Sequence, residues 1–501
     1  MNEFSYIFAA SCSLLAITCT VLVFIKKQYF SKTGKIPPSP PKLPIIGHLH
    51  RIGRFPHRSL FSLSTKHGPL MLLHLGSKPA LIVSSARASM EVFKTHEISF
   101  ANKGFMRSSK RVFYDGNDVV AAPYGDKWKK LRSILVNQLL HNRKVKSFSS
   151  IMDEETDILV QKIKLSYHNS SPINLSDLFL LLTNNSIHRS GFGEKHSEGG
   201  VTEKTIQGLV DAAGLVMKFS VGELIPWLSW IDELNGFNGA VDRVIKFRDE
   251  VYGAKFRDLL ERGHDSLCRE SMGDILMRMY KGDTPGVRID EESVKALLVD
   301  VSGAGTEVLA KALEWAMSEL IKHPEVMKKL QHEVRQILHG RHDITEDDLD
   351  KMNYLKAVIK ENFRCNPPLP VYPRESREYV NVMGYDIPEG TIVLINVWAI
   401  NRDPAYWDEP HKFKPERFLN SSIDFKGSDY QYVPFGAGRR ICPGLSFANA
   451  SIERVLANLM YKFDWALPNG AKAEDLDMSE DPGFTLGRKN PLIVLATKSY
   501  F

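Results

Sequence analysis

Ten residues near the C-terminal end, Phe435 to Gly444 (FGAGRRICPG), constrain this chain more than any other stretch. They set one cysteine, Cys442, in a glycine-rich turn behind two arginines, Arg439 and Arg440. A thiolate is a soft ligand that suits iron. Bound to haem iron from the proximal side, it pushes electron density onto the metal and favours O–O cleavage. Gly436, Gly438 and Gly444 let backbone run close to a flat macrocycle with no Cβ in the way. Arg440 suits a haem propionate. The competing reading is a surface turn with an incidental cysteine; other segments of the chain, below, weigh against it.

The chain has 501 residues, 43% of them hydrophobic. Length alone suggests about three domains, but no internal linker is evident beyond the N-terminal region. The net charge of +6 is modest, and Lys and Arg form no basic stripe. Nucleic acid is therefore not an expected partner; an acidic membrane or an acidic redox protein is. The five cysteines, Cys12, Cys19, Cys268, Cys365 and Cys442, are odd in number and dispersed. That argues against a disulfide framework and against a zinc site, and for a reducing, cytosol-facing compartment.

Tyr6 to Ile25 is an uncharged run followed at once by Lys26 and Lys27. About 20 residues span a hydrocarbon core of about 30 Å, and the basic flank keeps the rest of the chain in the cytosol. A cleaved signal peptide is the alternative, but Glu3 stands where a basic n-region belongs. The expected organisation is a membrane anchor over 1–27, a stiff proline-rich hinge over 28–42 (Pro37-Pro38-Ser39-Pro40-Pro41) and a catalytic body over 43–501. Alternation over about Arg58–Ser85 predicts paired strands. From Asp126 onward, helical periodicity dominates, as in Ile151–Leu165, Val241–Arg262, Glu291–Lys322 and Pro324–Leu338. Strand-like runs return near Tyr379–Val382, Ile392–Asn396 and Leu492–Ala496. The class is mainly α with a minor β-sheet domain.

The loop's Phe435, Gly438, Arg440, Cys442 and Gly444 fill the fixed positions of F-x-x-G-x-R-x-C-x-G, so it resembles the haem-binding signature of the cytochrome P-450 superfamily. The likeness runs from the membrane anchor to the last strands. In texture the chain resembles plant microsomal enzymes of family seventy-one, of the menthofuran-synthase type. The resemblance implies the cytochrome P-450 fold, haem b with Cys442 as axial metal ligand, and O2 as oxidant. It implies electrons from NADPH through NADPH–cytochrome P-450 reductase, and a place on the endoplasmic reticulum membrane. Trp128 and Arg132, at i and i+4 in WKKLR, project from one helix face; by resemblance they lie over a propionate. Arg374, in YPRES, is the other propionate partner it implies. Glu361 and Arg364 form E-x-x-R, and Arg417, in PERF, completes a buried cluster by resemblance, since the planar arginine fork binds a carboxylate at two points. Cys365 and Asn366 depart from the Leu-His usual in the plant pattern.

The segment Ala304-Gly305-Thr306-Glu307-Val308 departs from the family's A/G-G-x-D/E-T at its last position. The threonine hydroxyl normally helps route protons to dioxygen, and Val308 has nearly its shape but no hydroxyl. Thr306 does not substitute, because two residues along a helix is about 200° of rotation. Glu307 remains, with Lys311 at i+4 as its expected ion-pair partner. Three explanations stand. The substrate relays the proton, or the enzyme hydroxylates with poor coupling, or the reaction is a net oxidation such as cyclisation, desaturation or aromatisation. A tolerated substitution with water in place of the hydroxyl is the bland alternative.

By resemblance, the loop Phe105–Val120 caps the pocket. Ala296, Val299, Asp300 and Ala304 line it, with Leu369, Val371 and Tyr372 on one side and Phe484 and Thr485 entering from the C-terminal turn. A small lipophilic plant metabolite, terpenoid or indole alkaloid, is the implied substrate, with Asp300 either a partner for a basic nitrogen or an acid bonded to solvent or a loop. The alternative activity is a reductase-independent haem-thiolate isomerase or dehydratase acting on a peroxide. Demand for NADPH separates the two. Introducing the missing hydroxyl, Val308→Thr, is expected to change the product formed per NADPH consumed more than the substrate affinity. Equal coupling in both proteins would remove the case for a special distal mechanism.

Overall fold

The computed structural model describes residues 34–104, 106–193, 208, 214–215, 220–262, 270–483 and 485–499. The anchor over 1–27, and the substrate candidates Phe105 and Phe484, lie outside the described residues. No helix among the described residues is long and apolar enough to cross a membrane. Of the expected hinge, the described part packs on the body: the Pro38 carbonyl accepts Leu72 N–H at 2.9 Å, and the His48 ring bonds the Pro40 carbonyl at 2.9 Å.

In chain order the elements that matter are α1 (Pro56–His67), β1 (Leu70–Leu75), β2 (Lys78–Val83), α2 (Asp126–Ile134), α3 (Ser149–His168), α4 (Leu175–Phe192), α5 (Phe237–Glu261), α6 (Glu291–Lys322), α7 (Pro324–Leu338), α8 (Asn353–Cys365), β3 (Val371–Glu375), β4 (Ile392–Asn396), α9 (Leu445–Lys462), β5 (Phe463–Ala466) and β6 (Ile493–Ser499). Mainly helical with a minor sheet is the observed class. One expectation needs correcting: residues 56–67 are helix, not strand. Pro56 starts α1 at its first turn, where the missing N–H costs nothing. His57, Leu60 and Leu63 then fall on one buried face at helical spacing. The two-residue alternation begins only at Leu70.

The main sheet runs β1-β2-β4-β3. β2 and β4 pair in parallel, with Ala80 opposite Ile392. β3 lies antiparallel to β4, with Arg374 opposite Val393. The period of two puts Tyr372 and Arg374 on the same buried face of β3, while Val371, Pro373 and Glu375 are half-buried on the other. A second sheet centres on β6, flanked by β5 and Ile173–Asn174.

α6 is 32 residues long, about 48 Å at 1.5 Å per residue. Asp290 caps its start by accepting Ser293 N–H at 2.8 Å, and Pro324 opens α7 just past its end. α6 and α4 pack closely where a Cβ on Gly305 would stand 2.6 Å from Ile187 Cδ1. Gly305 is thus a packing glycine, whereas a Cβ on Gly303 would meet nothing.

On α8, Glu361 and Arg364 are fully buried and doubly bonded: Arg364 Nε to Glu361 Oε2 at 2.8 Å and Nη2 to Oε1 at 2.9 Å. Arg417 Nε reaches Oε1 at 3.1 Å, and Lys414 N–H adds a bond at 2.7 Å. The remaining Arg364 donors go to the carbonyls of Asn401, Pro410 and Lys412. Removing one partner of such a buried pair leaves an uncompensated charge. Glu361→Ala is accordingly expected to cost about 3–5 kcal/mol, read as a lowered denaturant midpoint. A loss under about 1 kcal/mol, the range of exposed pairs, would contradict this account of the cluster.

Candidate active site

Cys442 sits three residues before α9, at the end of a tight turn. Its N–H bonds the Phe435 carbonyl at 2.9 Å, which closes the loop on itself. Gly436 and Gly438 both hold positive φ, +73° and +68°. At Gly438 a Cβ would also stand 2.6 Å from Glu97 Oε1 and 2.9 Å from the Phe93 carbonyl. These glycines are required by backbone conformation and by the neighbouring Phe93–Glu97 segment, a different reason from the macrocycle clearance the sequence suggested. The Phe435 ring is wedged between Phe363 of α8 and Phe425, with centroids 4.9 Å and 5.3 Å away.

Burial pushes the Cys442 thiol up, opposed by the Gly444 and Leu445 N–H groups, Arg132 and Lys103. Leu445 is the first residue of α9, so the sulfur meets the positive end of that helix. A Cβ on Gly444 would come 3.8 Å from the sulfur. Basic groups gather around it. Arg132 Nη2 donates to the Ile441 carbonyl at 2.5 Å. The Arg440 guanidinium lies 4.2 Å from the Trp128 ring and donates to the carbonyls of Ala101, Val119 and Ala122. Trp128 Nε1 donates to the same Val119 carbonyl at 3.1 Å. Arg374, buried on β3, stands 5.7 Å from the Phe93 ring. Burial, with Arg374 and Arg132 close by, pulls Arg440 down to about 9. Arg374 falls to about 10 through burial, with Arg132 adding to it.

Lys103 is the residue that sequence reasoning missed. Burial, Arg374 and Arg440 hold its amine well below the ordinary lysine range. It carries no spacing signature, and its neighbours come from β3 and the cysteine loop. Four like charges gathered in one cleft are costly without an anion to accompany them. A flat macrocycle carrying two carboxylates beside a soft sulfur fits this donor set.

α6 carries an open face. Ala304 is exposed although it sits mid-helix, with Gly303, Glu307 and Val308 half-buried beside it. Thr306 faces away as expected: it is buried, donates to the Ser302 carbonyl at 2.8 Å, and its own carbonyl accepts from Thr183 of α4. The expected Glu307–Lys311 ion pair does not form. Lys311 Nζ instead pairs with Glu314 at 3.2 Å, and Glu307 Oε1 accepts from Thr485 Oγ1 at 2.5 Å. Ala296, on the same helix, is fully buried in the main core. Leu369 and Val371 are half-buried. Cys365 and Asn366 also find partners. The Cys365 sulfur accepts from Arg364 at 3.1 Å, burial pushes its thiol up to about 12, and Asn366 donates to Glu319 of α6 at 2.8 Å.

Asp300 bonds a loop rather than standing free: Oδ2 accepts Val119 N–H at 2.7 Å, and Val120 N–H also favours its charged form. It faces Asp118, whose carboxylate accepts Ala121 and Ala122 N–H at 3.0 Å each. Burial and the neighbouring Asp118 charge push Asp300 well up; burial pushes Asp118 up, against its bonds to the loop N–H groups and to Asp300. The bond from Val119 N–H to Asp300 ties the loop to α6.

The cytochrome P-450 family profile matches residues 37–495. Norfluorocurarine oxidase of Strychnos is 44% identical over 96% of this chain and 97% of its own length. The tabersonine/lochnericine 19-hydroxylase of Catharanthus roseus is 44% identical over 95% and 96%, and (+)-menthofuran synthase of Mentha piperita 43% identical over 97% and 98%. A zebrafish cytochrome P-450 solved with progesterone superposes with a TM-score of 0.75 at 25% identity, covering 88% of this chain and 99% of the other.

The acid pair makes a pH prediction. Both carboxyls are raised in the folded protein above the ordinary aspartate range of about 4 that the unfolded chain shows. The folded protein thus binds the extra proton, and stability declines as pH rises above about 4. Asp300→Asn keeps an acceptor for Val119 N–H and removes one of the two titrating groups. Its unfolding free energy is expected to fall less steeply between about pH 5 and about pH 8, above the unfolded midpoint. An unchanged slope would contradict the raised Asp300 carboxyl.

Proposed function

The chain belongs to the cytochrome P-450 family, and from that premise we propose that it is a plant microsomal monooxygenase of lipophilic specialised metabolites, with indole alkaloids and terpenoids the substrate classes. The family is one of haem-thiolate oxidoreductases. Cys442 is the residue that would hold the iron; when bound, the haem supplies the site for reductive activation of dioxygen. Arg440, Arg374, Arg132 and Lys103 are the groups that would hold the propionates; the Trp128 N–H is committed to the Val119 carbonyl. Phe435, Gly438 and Gly444 set the loop, and Glu361, Arg364 and Arg417 brace the helix behind it. The observation that carries the reading is Arg132 and Lys103 at the half-buried Cys442 sulfur, with Arg374 and Arg440 beside Lys103, at a helix start.

On the distal side, Ala304 and Val308 offer apolar surface, and Leu369 and Val371 continue it. Asp300 is already engaged by the Val119 loop, which favours its loop-bonding role over capture of a basic nitrogen. Substrate class is supported by the names of the relatives, one an alkaloid hydroxylase and one a menthofuran synthase. Electron supply from NADPH through the membrane-bound reductase, and location on the endoplasmic reticulum, are part of the same proposal. So are both reaction outcomes, hydroxylation and oxidative cyclisation or desaturation.

Microsomes containing the chain and the reductase, given NADPH, labelled dioxygen and a panel of terpenoids and indole alkaloids, test it. The expected result is a product formed only with NADPH, its mass reporting whether oxygen is retained. Turnover of a peroxide with NADPH absent would instead favour the isomerase or dehydratase reading.

A further inference from the structure

We propose that the hydroxyl missing at Val308 is supplied from elsewhere in the chain: Thr485 is the positioning residue that holds Glu307 as the distal acid. The inference rests on the oxygen-activating reading and deepens it. Thr485 Oγ1 donates to Glu307 Oε1 at 2.5 Å across 178 positions of sequence, within the short range of hydrogen bonds to carboxylates.

Each neighbouring group is arranged to leave this pair intact. No ion pair to Glu307 is found among the described residues. The cation best placed by sequence, Lys311, is drawn to Glu314, which Ser176 also bonds. The stem of Lys311 is kept there by Gly487, where a Cβ would meet it at 3.0 Å. The other hydroxyls on this stretch of α6 are committed: Ser302 Oγ bonds the Leu298 carbonyl and Tyr252, and Thr306 Oγ1 the Ser302 carbonyl.

The hydroxyl is also held on rigid backbone. Thr485 is buried. The next residue, Leu486, donates its N–H to the Pro368 carbonyl at 2.8 Å, and its carbonyl accepts Trp315 Nε1 of α6 at 2.7 Å. Gly487 and Arg488 then pair with Asp481 and Glu480. The turn is pinned to α6 two helical turns beyond Glu307, so the hydroxyl needs no reorganisation to meet the acid. Glu307 borders the open face, at i+3 from Ala304 and i+4 from Gly303. When Glu307 releases a proton toward that face, the Thr485 O–H stabilises the carboxylate left behind, and water returns the proton. Val308 then needs only to fill space.

The test uses purified holoenzyme with reductase, in wild type, Thr485→Val, Thr485→Ser and Thr485→Val/Val308→Thr. Thr485→Val keeps shape and removes the hydroxyl. It is expected to lower product formed per NADPH by about tenfold, the scale of one hydrogen bond to a charged group, with peroxide release rising to match and KM little changed. Thr485→Ser is expected to restore coupling, and the double variant to recover part of it. Independently of turnover, infrared spectra of glutamate-labelled holoenzyme, differenced against Glu307→Gln, are expected to show the Glu307 carboxyl band displaced in Thr485→Val and returned in Thr485→Ser. An unmoved band, or unmoved coupling, in Thr485→Val overturns the proposal. An inactive wild type with no haem-thiolate spectrum would instead overturn the functional reading on which it rests.

Discussion

The proximal half of this molecule depends on how one sulfur, that of Cys442, is held beside a helix start and a group of cations. A thiolate in an apolar interior is unfavourable, and burial alone drives Cys442 toward its neutral form. The fold answers with the N–H groups of Gly444 and Leu445 at the start of α9 and with Arg132 and Lys103 nearby. Position is fixed from behind. The Glu361–Arg364–Arg417 cluster fastens α8 to the 415–418 turn, Phe363 of α8 packs on Phe435, and the Phe435 carbonyl holds the Cys442 N–H. A buried ion cluster of this kind is a poor source of net stability. Its value here is geometric, since each of its bonds removes a way for the loop to drift.

The two faces of the cleft are built by opposite means. The proximal side is over-determined: a turn of positive-φ glycines, edge-on and tilted rings and a helix end all specify one conformation. The distal side is a single long helix whose small residues divide the labour. Gly305 admits α4, while Gly303 and Ala304 leave room on the cleft side. The loop that carries Asp118 and Val119 is tied to this helix through Asp300, and to the proximal side through Arg440 and Trp128 at the Val119 carbonyl. Val119 is thus held by its N–H from above and its carbonyl from below, so loop position is coupled to both walls.

Sequence made the architecture legible wherever the signal was local. The bounds of α6 and α7, the β4 strand and the cysteine loop follow from periodicity, caps and spacing. It misled where a tertiary partner outcompeted a local one. Lys311 stands at the favourable spacing from Glu307 yet prefers the buried Glu314 one turn on, because a buried carboxylate gains more from a counter-charge than a half-exposed one. Asp300 found a loop N–H and a second acid, neither visible from its helix. Thr485 and Lys103 are single residues in unremarkable segments, and their roles emerge only when the strand, the turn and the cysteine loop are brought together. The run over 56–67 was misassigned because its apolar residues fit both periods over so short a span.

The most direct test of the central claim is optical. Dithionite-reduced protein under carbon monoxide is expected to show the red-shifted Soret band from which the family takes its name, the mark of a thiolate opposite the gas. Cys442→Ser is expected to abolish it while haem is retained. A reduced carbonyl band at the shorter wavelength of imidazole-ligated haem in the unaltered protein, or an unshifted band surviving in Cys442→Ser, would contradict the account.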